Sequence, residues 1–180
     1  MAGTNTYLMK WIVRIVVVIV VLIALIFAIG FILPSHTTHT RTITLKQPPE
    51  KVFAVLADIP NMPKWNRNME SAEVLAPVDG KETTRQTFKG GMEMIITTTA
   101  SSPPNHLVRA LGDSNGPFSG SWTYGIAAAP DGGSQVALTE QSEISNPFFR
   151  FMVKIYGPTK YMDEHLQDLG KRFGESVTAR

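Results

Sequence analysis

Glu93, His106, Glu140, Glu143 and His165 are the side chains whose type and setting could do acid–base chemistry. A carboxylate or imidazole in an apolar pocket is shifted toward neutrality, which suits it to an aldol cyclisation or a dehydration. Strand alternation sorts them in part. If Met92, Met94 and Ile96 face a core, Glu93 faces solvent, whereas Val136, Leu138 and Glu140 share a parity and make Glu140 the inward candidate. The competing reading of Glu140 is a cross-strand ion pair on the sheet surface. His165 is the second catalytic candidate, weighed against an ordinary place on a helix surface.

Other chemistry is less well supported. Gly112-Asp113-Ser114-Asn115-Gly116 fits the G-x-S-x-G letters of a hydrolase elbow, with His165 downstream. An elbow needs a strand before it and a helix after it, but Gly116-Pro117 leads into a strand-like run, so a hairpin loop explains the same letters. His36 and His39 lie in a Thr-rich stretch without Cys, Asp or Glu to complete a metal site. No phosphate loop or nucleotide fingerprint is present, so neither metal nor cofactor is expected. Lys10 and Arg14 account for the whole excess of 17 basic over 15 acidic residues. The rest of the chain is neutral, which argues against a nucleic-acid partner.

Ile15 to Leu33 is a run without a charge, and at about 1.5 Å per residue it crosses a hydrocarbon layer of about 30 Å. Phe31-Ile32-Leu33-Pro34 offers no small-residue cleavage site, so the run reads as an uncleaved anchor with Trp11 and Arg14 at its near edge. A buried core helix is the alternative. Lys10 and Arg14 favour a cytoplasmic N-terminus and an extracytoplasmic, periplasmic domain. The absence of cysteine fits either compartment. The expected division is tail and anchor over 1–34, a linker over 35–40, and a domain over 41–178.

Within that domain Arg41 to Leu45 alternates as a strand, and Pro48-Pro49-Glu50 opens a short helix bearing Val52, Phe53, Val55 and Leu56. Asp58 to Trp65, broken by Pro60 and Pro63, has room for one more short helix. Turn signals at Asp79-Gly80, Gly90-Gly91, Pro103-Pro104, Asn115-Gly116 and Asp131-Gly132 then separate six strand-length segments between Met69 and Glu143. Asn146 to Val177 reads as a long C-terminal helix interrupted at Gly157-Pro158. Met162, Leu166, Leu169, Phe173 and Val177 form its apolar stripe, and Asp163, Glu164 and Asp168 fall on the opposite, charged side.

That order, with Pro48-Pro49-Glu50-Lys51-Val52-Phe53, Trp65, Gly120-Ser121-Trp122-Thr123-Tyr124, Pro130-Asp131-Gly132-Gly133, Thr139-Glu140, Asn146-Pro147-Phe148-Phe149-Arg150 and Leu169-Gly170-Lys171, resembles the polyketide cyclase/dehydrase branch of the START-like (SRPBCC, helix-grip) superfamily. Ser134-Gln135 departs from the Gly-Thr pair of many relatives. The resemblance covers about Arg41 to Phe173. It implies an α+β helix-grip fold, β-α-α-β6-α, whose curved antiparallel sheet wraps the C-terminal helix around a cavity for an apolar ligand. Phe88, Met94, Trp122, Tyr124 and Glu140 on the sheet, with Met162, Leu166 and Leu169 on the helix, would then line it. Trp122, Phe88, Phe118 and Met94 are also large enough to fill it.

Phe148 to Tyr156 mixes aromatic residues with Arg150 and Lys154, a composition suited to headgroups or, alternatively, to closing the core. The expected role is therefore membrane-anchored binding of a hydrophobic small molecule or lipid. A cyclase or dehydratase, and a module whose cavity is filled by its own side chains, are the alternatives.

Overall fold

The computed structural model describes residues 3–112 and 118–180. Asp113 to Gly116, and with them most of the G-x-S-x-G letters, lie outside the described residues.

Helix α1 (Gly3–Ile32) contains the apolar stretch Met9–Ile32, 24 residues long and, by length and composition, able to cross a membrane. From Met9 to Ile32 its side chains stand exposed almost throughout, which excludes a core helix of the domain. Strand β1 (His36–Leu45) follows within a few residues. Residues 36–40, expected as a linker, are thus part of the sheet: His36 to Thr40 pair with Glu143 to Thr139. Alternating threonines suit a pleated edge better than a free tether, which moves the start of the domain back to His36.

Helix α2 (Pro49–Ala57) starts where Pro49 needs no N–H partner, and a 3₁₀ turn (Ile59–Lys64) holds the Pro-broken segment. Then come β2 (Met69–Val78), β3 (Lys81–Phe88), β4 (Met92–Ser102), β5 (His106–Gly112), β6 (Phe118–Ala128) and β7 (Ser134–Ile144). The seven strands form one sheet in the order β1-β7-β6-β5-β4-β3-β2, with every neighbouring pair antiparallel.

The expected long helix is two helices, α3 (Pro147–Tyr156) and α4 (Lys160–Arg172). Asn146 caps α3 by accepting the Phe148 N–H at 2.9 Å. Gly157, at φ 103°, and Pro158 supply the break. Helix α4 ends at Arg172 rather than Val177 because Gly174, at φ 73°, turns the chain away. The last residues run back along β1, where Thr42 and Arg180 exchange backbone hydrogen bonds of 3.0 and 3.1 Å.

The core occupies one end of the concave sheet face. Met162, Leu166 and Leu169 of α4 pack with Leu45, Val52, Leu56, Leu107, Ile126, Val136 and Leu138. Asp168, expected on the wet face of its helix, is instead buried. Its carboxylate accepts the Arg67 backbone N–H at 2.9 Å, Nε at 2.9 Å and Nη2 at 2.6 Å. Burial works against the charged carboxylate, but the Arg67 hydrogen bonds outweigh it and hold Asp168 below its ordinary value. The pair pins α4 to the segment entering β2. Asp168→Asn should lower stability by about 2–3 kcal/mol, since a buried carboxylate that loses charge-assisted bonds strands its donors. Urea denaturation at neutral pH measures this, and an unchanged midpoint would refute the pinning role.

Candidate functional site

The same inward parity that builds the core continues along each strand into open space. On β6 it passes from Ile126 and Tyr124 to Trp122 and Phe118, on β7 from Leu138 to Glu140, Ser142 and Ile144, and on β5 from Leu107 to Arg109 and Leu111. Helix α4 meets that space only with its first two turns, through Tyr161 and His165. The result is a cavity of about 680 Å³, roofed by Phe149, Met152, Val153 and Tyr156 of α3 and floored by the sheet. Its size lies within the range of small-molecule sites, about 300–1,000 Å³.

Phe88, Met94, Trp122, Tyr124 and Glu140 line the cavity, and so does Phe118; none of them fills it. Met162, Leu166 and Leu169 do not line it. They are wholly buried in the core beside it, because the helical stripe packs on the half of the sheet that it covers. His165 is 3% exposed rather than a surface residue, and it reaches the cavity from α4. Glu93, His106 and Glu143 are exposed.

A chain of polar groups marks the boundary between core and cavity. The Asn68 backbone N–H donates to Asn66 Oδ1 at 3.0 Å, which fixes the amide so that Asn66 Nδ2 donates to His165 Nδ1 at 3.2 Å. His165 is then a neutral imidazole carrying its proton on Nε2, and it donates to the Tyr124 hydroxyl at 3.1 Å. Burial, and next the nearby Arg109 charge, push the His165 pKa down to about 3. Burial also raises the Tyr124 phenol above its usual range, only partly offset by Arg109. The Tyr124 oxygen thus accepts from His165 and lies within hydrogen-bonding reach of the Arg109 guanidinium, at the wall of the cavity.

Arg109 was not foreseen. It is 4% exposed, donates from Nη2 to the Leu56 carbonyl at 2.6 Å, and has Met62 Sδ at 3.8 Å from Nη1. Its Nε finds no partner, and among the described residues no carboxylate forms an ion pair with it. Burial lowers its pKa, yet a guanidinium keeps its charge. The alternation Leu107-Val108-Arg109-Ala110-Leu111 places it on the apolar parity and was the available signal.

On the opposite wall Trp122 and Glu140 are directly paired across β6 and β7, and Trp122 Nε1 donates to Glu140 Oε2 at 2.5 Å. This is a cross-strand hydrogen bond on the concave face, not a surface ion pair. Burial raises the Glu140 pKa, while the Trp122 bond and His39 pull it back. His39 itself lines the cavity from β1, not from a linker. Among the described residues no cluster of three His, Asp or Glu side chains could hold a metal.

The site thus brings to one cavity the carboxylate that burial raises, Glu140, and two buried hydrogen-bonding side chains, Arg109 and Tyr124. Residues 36–174 match the family model described as polyketide cyclase/dehydrase and lipid transport. Comparison with curated protein sequences gave no match. Among solved structures, the fold is similar to the di-domain aromatase/cyclase BexL of the BE-7585A biosynthetic pathway, with 10% identity, TM-score 0.61 and 75% of this chain covered. The match spans 49% of that longer protein. The Zhui aromatase/cyclase from Streptomyces sp. R1128 gives 15% identity and TM-score 0.62 over 74% of this chain and 91% of that one. A START superfamily protein from Mycobacterium smegmatis gives 14% and 0.60 over 76% and 98%.

The buried imidazole makes a pH prediction. A histidine whose folded pKa lies below its unfolded value contributes stability that is complete above about pH 6.5 and is lost as pH falls toward the folded value. Glu140, raised on folding, acts in the opposite sense at lower pH. In a Glu140→Gln background, urea denaturation should therefore show stability falling by about 1.4 kcal/mol per pH unit between pH 6 and 4, flattened by His165→Gln. No difference between the two proteins would mean that His165 is not held neutral.

Proposed function

The chain belongs to the polyketide cyclase/dehydrase and lipid transport family, and from that premise we propose that it is a membrane-anchored binding domain. It holds a hydrophobic small molecule or lipid in the cavity between the sheet and α3, beside the start of α4. The observation that carries this reading is the cavity itself. It is open, apolar over most of its wall, and polar at Arg109, Tyr124 and His165 on one side and Glu140 on the other. An apolar body would take the space between Met94 and Phe118 of the sheet and Met152 of α3, and an oxygen-bearing head would meet Arg109 and the Tyr124 hydroxyl. A module packed with its own side chains is disfavoured by the same open volume.

Anchoring rests on α1. Its exposed Val, Ile and Leu side chains would each gain about 1.5–3 kcal/mol on leaving water, which a bilayer supplies and this domain does not. Residues 1–34 then form the tail and anchor, and the domain starts at His36. Lys10 and Arg14 favour a cytoplasmic N-terminus and an extracytoplasmic domain.

Binding is favoured over catalysis by geometry. Both ring nitrogens of His165 are engaged within the protein, Nδ1 by Asn66 and Nε2 by Tyr124, so the imidazole has no free lone pair to take a proton from a ligand. A cyclase or dehydratase is the second reading, favoured by the single raised carboxylate, Glu140. Glu140→Gln would then abolish turnover and spare binding.

The binding reading is tested with a fluorescent polyene fatty acid and the full chain in nanodiscs. Met94→Trp, which fills the cavity, should weaken binding by about 10-fold or more. Arg109→Met should weaken the acid by about 10-fold while affecting the matching alcohol less. Equal affinity in Met94→Trp and the parent would show that the probe does not enter the cavity.

A further inference from the structure

Helix α3 is the one element of the domain with no buried residue, although it is the roof of the cavity. Phe148, Phe149, Met152, Val153, Ile155 and Tyr156 are all exposed, Ile155 by 67%. A helix that shows this much apolar surface to water is missing a partner. What lies beside it says which one.

The first turn of α3 is packed on the last two turns of α1. The Phe27 and Phe148 rings have centroids 6.3 Å apart, and Arg150 Nη1 reaches the Leu33 carbonyl at 3.4 Å. Gly30 is the point of closest approach: a Cβ there would lie 2.0 Å from the Pro147 carbonyl oxygen, so only glycine lets α3 seat. Arg150 also donates from Nε to the Ile144 carbonyl at 2.7 Å and from Nη2 to that of Ser145 at 3.1 Å, tying together the end of β7, the start of α3 and the end of α1. From Phe27 to Ile32 is about 7.5 Å along the helix axis, close to the depth of one interfacial layer of a bilayer.

We infer that α3 is an interfacial helix seated in the lipid headgroup layer, so that the mouth of the cavity beneath it opens onto the bilayer and ligand enters from the membrane. This rests on α1 spanning the membrane, as proposed above. The chemistry of the helix fits a lipid surface. Arg150 and Lys154 are its charged residues, and it carries no acid. Tyr156 stacks on Tyr161 at 5.8 Å, with Lys160 Nζ 4.0 Å above the Tyr156 ring, the pairing of aromatic and cation that settles at headgroup depth. Phe149, Met152, Val153 and Tyr156 belong both to this exposed helix and to the cavity wall, so a small outward movement of α3 connects the two apolar spaces without passing through water.

The chain has no cysteine, so single labels can be placed at will. Full-length Ile155→Cys, Val20→Cys and Asp131→Cys, each carrying an environment-sensitive fluorophore, would be reconstituted in phosphatidylcholine vesicles containing some phosphatidylglycerol and nitroxide lipids of known depth. Position 131 lies in the β6–β7 turn, at the end of the sheet away from α1. The label at 155 should be quenched by headgroup-depth nitroxide about two-fold or more beyond the label at 131, and the label at 20 by mid-bilayer nitroxide. Quenching at 20 with none at 155 overturns the interfacial placement while leaving the anchor intact. Loss of quenching at 20 overturns the anchor, and the inference with it.

Discussion

The length of α4 is the constraint on which the rest of this molecule depends. A helix running unbroken from Asn146 would lay its apolar stripe along the whole concave face and fill it. Gly157 and Pro158 stop that. The segment after the break supplies Met162, Leu166 and Leu169 to one half of the sheet, and the segment before it is turned aside as α3 to roof the other half. Core and cavity are therefore two halves of one surface with the same inward parity. Their boundary falls where Tyr124, His165, Asn66 and Arg109 meet.

The polar groups at that boundary explain how an opened core survives. Burying an imidazole, a phenol and a guanidinium is costly unless each is satisfied or held in its less costly state. His165 is neutral with both ring nitrogens paired, and Tyr124 stays protonated. Arg109 keeps its charge against the Leu56 carbonyl, the Met62 sulfur and the Tyr124 phenol, none of them an anion, and its Nε is unpartnered. Such a side chain is poorly served by the protein alone, which is why an oxygen-bearing ligand is the reading that completes it. Glu140, on the facing wall, is satisfied by Trp122 instead.

Much of this architecture was legible in the chain. Turn residues marked the six-strand meander, and the residues from Pro48 to Lys171 that resemble the helix-grip superfamily led to the family later matched over 36–174. Glu140 was readable as inward because Val136 and Leu138 share its parity, and the break at Gly157-Pro158 was readable from residue type. Three things were not. His36 to Thr40 looked like a tether because threonine and histidine are polar, but β-branched residues pair well at a sheet edge. Met162, Leu166 and Leu169 were assigned to the cavity because periodicity shows which face is buried and not what it is buried against. Asp168 was read as solvent-facing, and His165 stayed divided between cavity and helix surface, because a charged or polar letter reads as solvent until its partner, Arg67 or Asn66, is known, and those partners lie about a hundred positions away in the chain.

The central claim is that the cavity is a ligand site and not a packing fault. Native mass spectrometry of the full chain, extracted gently from the cells that make it, tests it most directly. The account expects a stoichiometric apolar molecule bearing a carbonyl, carboxyl or hydroxyl oxygen, and its loss from the Met94→Trp protein. A chain that emerges free of any small molecule, and takes up none from a total lipid extract of the same cells, would contradict it.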